Sequence, residues 1–215
     1  MAVLGLRSTV LPPASEAAVH AEEAQRKYDE TDNDSESHWH RISSSRSQNR
    51  LEGGHGEADT MLSGKRHDST AALAVLHERK TRFTRLRKIP NLRPSTMAKA
   101  LKKMGRKLSL KTLTFDNGIE NKHHESVALC LRIQTFFCNA YHSWEKGGVE
   151  NTIGRIRRFI PKGANLADYS DEDIAMIEYW LNHTPRKCLN YQTPYQRMSE
   201  YLLSISPQPN YAFEG

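Results

Sequence analysis

Cysteine is scarce in this chain: three in 215 residues, at positions 130, 138 and 188. An odd, widely spaced set with no C-x-x-C pair excludes the disulfide framework that staples small secreted domains. Cys130 and Cys138 sit in apolar runs, which predicts buried thiols. Ten histidines do not compose a zinc site either. His38 and His40 lie in a polar stretch, and adjacent His123 and His124 cannot share a helix face as an i, i+4 pair would. No run of about 18 apolar residues occurs, so no helical membrane span is expected. Met1 to Pro13 is too weakly apolar to read as a secretory signal. There is no internal repeat. A reduced, cytoplasmic setting follows as the default expectation.

What is present is positive charge, unevenly spread. The net charge is +6, but residues 1–50 hold six Lys/Arg against eight Asp/Glu, so the rest of the chain carries +8. A basic folded part favours a polyanionic partner, although charge alone does not separate nucleic acid from a merely soluble basic surface.

Residues 1–50 are rich in Ala, Glu, Asp, Ser, Arg and His. They are expected to be disordered or unrelated to the rest of the chain, because they offer too little apolar surface to offset ordering entropy. A boundary falls near Arg50 to Gly56. Beyond it Asp59 to Leu62, Ala71 to Leu76 and Phe83 to Ile89 read as three strands of an antiparallel meander. Thr96 to Met104 reads as a helix capped by Ser95, and Leu108 to Phe115 as a strand ending at Asp116. Ser126 to Ile133 reads as a helix, Gln134 to Cys138 as a strand, and Val149 to Ile160 as a helix stopped by Pro161. A last helix starts at Ser170, with Asp171, Glu172 and Asp173 in its first turn and Ile174, Ile177, Trp180 and Leu181 on one face. The order predicts an α/β fold: a mixed five-stranded sheet flanked by helices over 52–200, with a tail at 201–215.

Three acids stand out on these elements. Asp59 falls on the first strand, Asp116 at the end of the fourth, and Glu150 near the start of an Arg-bearing helix. Phosphodiester chemistry needs an attacking oxygen, a stabilised leaving oxygen and neutralised phosphate charge, and two divalent ions about 4 Å apart supply all three. Mg²⁺ prefers carboxylate oxygens and water. On the helix, Val149, Ile153, Ile156 and Ile160 are expected to pack inward. Glu150, Gly154 and Arg157 occupy an adjoining stripe, and Arg155, Arg157 and Arg158 are available for phosphates. Each acid also has a plain alternative. Asp116-Asn117-Gly118 reads equally as a turn, Glu150 as a solvated helix residue, and Asp59 has Glu57 and Asp68 as neighbours of no obvious role.

Taken together, these segments resemble the insertion-sequence-thirty family of bacterial transposases. The resemblance is carried by Gly54-His55-Gly56-Glu57-Ala58-Asp59-Thr60, by His77 to Phe83, and by Leu113-Thr114-Phe115-Asp116-Asn117-Gly118 with Glu120. Tyr141 to Thr152, Pro161-Lys162-Gly163, Leu181 to Lys187 and Thr193-Pro194 continue it. It implies a ribonuclease-H-like, integrase-like catalytic core whose Asp-Asp-Glu triad is Asp59, Asp116 and Glu150, serving both as catalytic residues and as ligands of Mg²⁺, with Mn²⁺ as a substitute. It implies cleavage at insertion-sequence ends and joining of a 3′-hydroxyl to target DNA. The partners implied are double-stranded DNA, both terminal inverted repeats and target, and further copies of the chain on that DNA, in a bacterial cytoplasm near the nucleoid. DNA contacts are expected from Lys146, Asn151, Arg155, Arg157, Arg158, Lys162, Arg186 and Lys187. The chain departs from the family pattern at Gly56, where a Trp is usual, and at Asn121, where an aromatic is usual. Residues 1–50 show none of the family's helix-turn-helix pattern, so an N-terminally truncated, non-catalytic DNA-binding remnant or a regulator of an intact transposase is the alternative expectation.

Overall fold

The computed structural model describes residues 52–64, 66, 68–138 and 147–206. The expectation for residues 1–50 lies outside that set. Strands β1 (His55–Leu62), β2 (Ala72–Glu78) and β3 (Thr84–Ile89) form the antiparallel meander read from the sequence. β4 (Thr112–Phe115) pairs parallel with β1 and with β5 (Gln134–Phe137), giving one five-stranded sheet in the order β3-β2-β1-β4-β5. Every residue of β2 is buried, as befits a strand flanked on both edges and covered on both faces.

Helices α1 (Pro94–Gly105), α2 (His124–Leu131), α3 (Gly147–Ile156), α4 (Asp171–His183) and α5 (Pro194–Ile205) cover that sheet. Alternation along the strands sorts the core into two clusters. Ala58, Ala72, Ala74, Leu76, Leu113 and Phe115 pack with Met97 and Leu101 of α1, Val127 of α2 and Met198 of α5. Met61, Leu73, Val75 and Leu86 pack with Val149 and Ile156 of α3, Ile160 just beyond it, and Ile174, Ile177 and Leu181 of α4. The inward stripe expected on α3 is confirmed, with Val149, Ile156 and Ile160 fully buried and Ile153 partly so.

Several boundaries moved for identifiable reasons. α1 starts at Pro94, not after a Ser95 cap; Arg93 is the N-cap residue and makes no side-chain cap bond. Proline at the first helical position loses nothing by lacking an N–H and brings a helical φ. β4 starts four residues later than expected, because Ser109 takes a left-handed conformation, φ 45°, in the loop ahead of it. α3 gives way after Ile156 to tighter turns in which the N–H of Phe159 bonds the Ile156 carbonyl. Ser170 does cap α4, in a reciprocal box with Asp173. α5 was not anticipated. Thr193 caps it, Pro194 opens it, and it runs through Ile205, so residues 201–205 are its last turn. Cys138 is buried but Cys130 is exposed, since Val127 is the residue of α2 that reaches the core. Among the described residues no helix is long and apolar enough to cross a membrane.

Candidate active site

The parallel β1–β4 ladder pairs Gly56 with Leu113 and Glu57 with Thr114. Asp59 lies two residues beyond Glu57 on β1, and Asp116 lies one residue past the end of β4, so both fall beyond the same end of the paired segment. Ala58, Leu113 and Phe115 belong to the α1–α2–α5 core, so Glu57, Asp59 and Thr114 fall on the opposite face, that of Met61, against which α3 packs, and Asp116 follows directly on Phe115 at the end of β4. The small Gly56 suits its place: a Cβ there would already stand 3.0 Å from Leu113 and 3.4 Å from Leu76 and Leu110.

Asp116 is both a turn residue and a presented acid. Its Oδ1 accepts from the Gly118 N–H at 3.3 Å and from Asn121 Nδ2 at 2.8 Å, while Asn121 Nδ2 also reaches the Asp116 carbonyl at 3.3 Å. The turn is tied to the end of β5 by Asn117 Nδ2 donating to the Cys138 carbonyl at 3.3 Å. Asp59 is partly buried, and its Oδ1 accepts the Thr60 N–H at 2.8 Å. Glu150 is exposed in the first turn of α3.

The start of α3 is held by a residue with no evident role in the sequence. Glu57, 3 % exposed, accepts the Val149 N–H through Oε2 at 2.7 Å and Arg79 Nε through Oε1 at 2.6 Å. A carboxylate at a helix N-terminus satisfies an orphan amide and meets the positive end of the helix dipole. With Arg79 also buried, the pair is neutral and hydrogen-bonded, which offsets part of its desolvation cost. The signal was available: Glu57 stands two residues before Asp59, on the same face of β1.

Among the described residues, no three His, Cys, Asp or Glu side chains come together closely enough to hold one metal ion. Asp59 lies on β1 and Asp116 just past the end of its parallel neighbour β4, whereas Glu150 is exposed on a helix that directly follows residues outside the described set. The donor chemistry nevertheless fits a hard cation, since all three are carboxylates.

Of the expected DNA contacts, Lys146 lies outside the described residues. Asn151, Arg155, Arg186 and Lys187 line one cavity of about 430 Å³, together with Arg82 and His77, which sequence reasoning had not singled out. Arg158 and Lys162 are exposed and do not line it, and Arg157 Nη1 turns to the Pro161 carbonyl at 3.3 Å. The arginines of α3 and its extension, read as one group from sequence, are therefore divided. Burial, followed by repulsion from Arg155 and, more weakly, Arg158, lowers the Arg186 pKa.

The comparisons agree with this architecture. The chain is 39% identical over 150 residues to a transposase for insertion sequence element IS4351 of Bacteroides fragilis, covering 68% of this chain and 44% of that protein. It is 36% identical over 159 residues to a transposase for IS1086 of Cupriavidus metallidurans, covering 71% and 45%. It is 32% identical over 151 residues to the transposase InsI for IS30A of Escherichia coli K12, covering 68% and 38%. The chain thus spans less than half the length of these curated relatives. No family model matches. Among solved structures the catalytic core domain of BIV integrase is similar in fold, with a TM-score of 0.55 at 18% identity, covering 70% of this chain and 97% of that one. By sequence kinship and by fold, this chain is a homologue of the insertion-sequence transposases, the IS30 type among them, built on an integrase-like, ribonuclease-H-like core.

Proposed function

We propose that residues 52–200 are the catalytic core of a DNA strand transferase, a polynucleotidyl transferase in which Asp59, Asp116 and Glu150 hold Mg²⁺, two ions in this reading, or Mn²⁺ in its place. The parallel β1–β4 pairing, which runs the strands that carry Asp59 and lead into Asp116 side by side, is the observation that supports it. Bound there, the ions would supply Lewis-acid charge to a scissile phosphate and ease deprotonation of the attacking hydroxyl. Asn121 and the Gly118 N–H orient Asp116, and Glu57 holds the start of the helix that carries Glu150. The attacking oxygen, from water in cleavage or from a freed 3′-hydroxyl in joining, bonds to phosphorus as the bond to the displaced 3′-oxygen breaks. The attacking group's proton goes to solvent and the displaced oxygen takes one up. The substrate in this reading is double-stranded DNA, insertion-sequence ends and a target, with further copies of the chain assembled on it.

Purified protein should nick supercoiled DNA only with Mg²⁺ or Mn²⁺. Asp116→Asn and Glu150→Gln should each lower the rate by roughly a hundredfold or more, the scale of several kcal/mol of lost charge stabilisation, with unchanged circular dichroism. Nicking that survives in both variants sinks the assignment. DNA binding by the wild type with no metal-dependent nicking would point to the non-catalytic remnant or regulator instead.

A further inference from the structure

A basic cavity opens beside α3 on the flank turned away from Glu150. Four cations from three places wall it: Arg82 from the β2–β3 turn, Arg155 from α3, and Arg186 and Lys187 from the segment after α4. Among the described residues, no Asp or Glu lines it. Among the described residues, no carboxylate forms an ion pair with Arg155, Arg186 or Lys187. Crowding like charges without a counter-charge costs Coulomb energy, most of all where burial thins the solvent. Arg186 shows that cost: it is half-buried, its proton is held less firmly through burial first and Arg155 next, and its Nη2 is tied to the Leu181 carbonyl at 2.7 Å. An anion seated among these groups relieves the repulsion. The guanidinium fork matches phosphate oxygens in pairs. The volume of about 430 Å³ accommodates a phosphate group with its waters, each water taking about 30 Å³.

We propose that this cavity anchors a backbone phosphate of DNA other than the one being cut, an assignment that rests on the DNA-processing function proposed above. Gly148, Asn151 and Arg155 stand roughly 100–160° round α3 from Glu150, and a helix with its side chains is about 10 Å across. A phosphate in the cavity is therefore on a different side of the helix from Glu150, where it sets the path of the strand.

Cysteine reactivity tests this on the unaltered protein. Cys188 is exposed and lines the cavity. Cys130, also exposed, lies on α2 in the other layer, and Cys138 is buried. In EDTA, which stops cutting, a short DNA duplex should slow N-ethylmaleimide modification of Cys188 several-fold, read by peptide mass spectrometry, and leave Cys130 unchanged. An unprotected Cys188, or equal protection of both thiols, overturns the proposal. Protection by inorganic phosphate as strong as that by duplex overturns the nucleic-acid assignment. As a second readout, the Arg155→Gln, Arg186→Gln double variant should lower the slope of log affinity against log salt by about 1, the change expected when one phosphate is no longer neutralised. The exposed pair Lys99→Gln, Lys103→Gln on α1 should not; equal slopes in the two double variants overturn it. Because these measurements involve no cutting, Cys188 protection alongside nicking that persists in Asp116→Asn keeps the anchor and sinks the catalytic reading. The reverse pattern does the opposite.

Discussion

Asn121 is the most informative single residue. The family resemblance places an aromatic here, yet the chain keeps a buried amide whose Nδ2 grips both the carboxylate and the carbonyl of Asp116. Among the described residues its Oδ1 is buried without a partner. Reversing the amide would set an oxygen against the Asp116 carboxylate, so the orientation follows from charge. An amide that holds both the carboxylate and the carbonyl of one acid fixes how that acid is presented. Asn121→Ala removes a hydrogen bond to a charged group worth about 1.5 kcal/mol, so nicking should slow about tenfold. The Mg²⁺ midpoint should rise while duplex affinity in EDTA stays unchanged. An unaltered Mg²⁺ midpoint would show that Asn121 serves only the turn.

At the scale of elements, the decisive contact is between the start of α3 and the sheet. Gly148 passes so close that a Cβ would stand 2.8 Å from Glu57 Oε2 and 3.0 Å from the His77 ring. Neither neighbour yields easily: Glu57 is pinned by Arg79 and the Val149 N–H, and His77 is buried with Thr84 and Thr152 hydroxyls beside its Nδ1. Gly148→Ala should therefore cost about 1–3 kcal/mol by overpacking and reduce nicking by displacing Glu150. Gly154, on the same helix, has nothing within 4 Å of its Cβ position. Gly154→Ala should stabilise the protein by about 0.5–1 kcal/mol through backbone entropy. Urea unfolding of the two variants checks the contrast; equal effects would mean that α3 does not sit against Glu57 as described.

For the whole molecule, stability depends on how α4 closes the β3 edge of the sheet. Asn182 accepts the Thr84 N–H at 2.9 Å and donates to its carbonyl at 2.8 Å, occupying the place of a further strand. Glu178 accepts the Leu86 N–H at 2.6 Å and pairs with Arg85 at 3.3 Å. Burial nonetheless raises the Glu178 pKa, outweighing the bond from Leu86 and the charge of Arg85. Native Glu178 therefore holds its proton to higher pH than the unfolded chain does. The linked stability is fully present below the ordinary carboxylate pKa and is lost as pH rises through the raised value. The melting temperature of the wild type minus that of Glu178→Gln should fall as pH rises above the ordinary carboxylate range. A flat difference would mean that the carboxyl is effectively solvated.

The periodicities of β2, β3, α3 and α4 were readable along the chain because burial on one face imposes a local rhythm of two or about four residues. Asp59, Asp116 and Glu150 stood out because acids at strand ends and helix starts are local features, and the family resemblance linked them. α5 was legible and missed: Thr193-Pro194 with Gln196 is a helix-start signal, and Met198, Tyr201, Leu202 and Ile205 recur at helical spacing, whereas the late start of β4 was hidden, since a left-handed serine leaves little periodic trace. Tertiary structure alone decided that β1 lies beside β4, so that two acids 57 positions apart fall beyond the same end of one paired segment. It alone showed that Glu57 braces α3, that Asn121 holds Asp116, and that Arg82 and Arg186 share a cavity with Arg155. Those contacts join residues far apart in the chain, and no local pattern records which distant groups pairing and packing will bring within a hydrogen bond of each other.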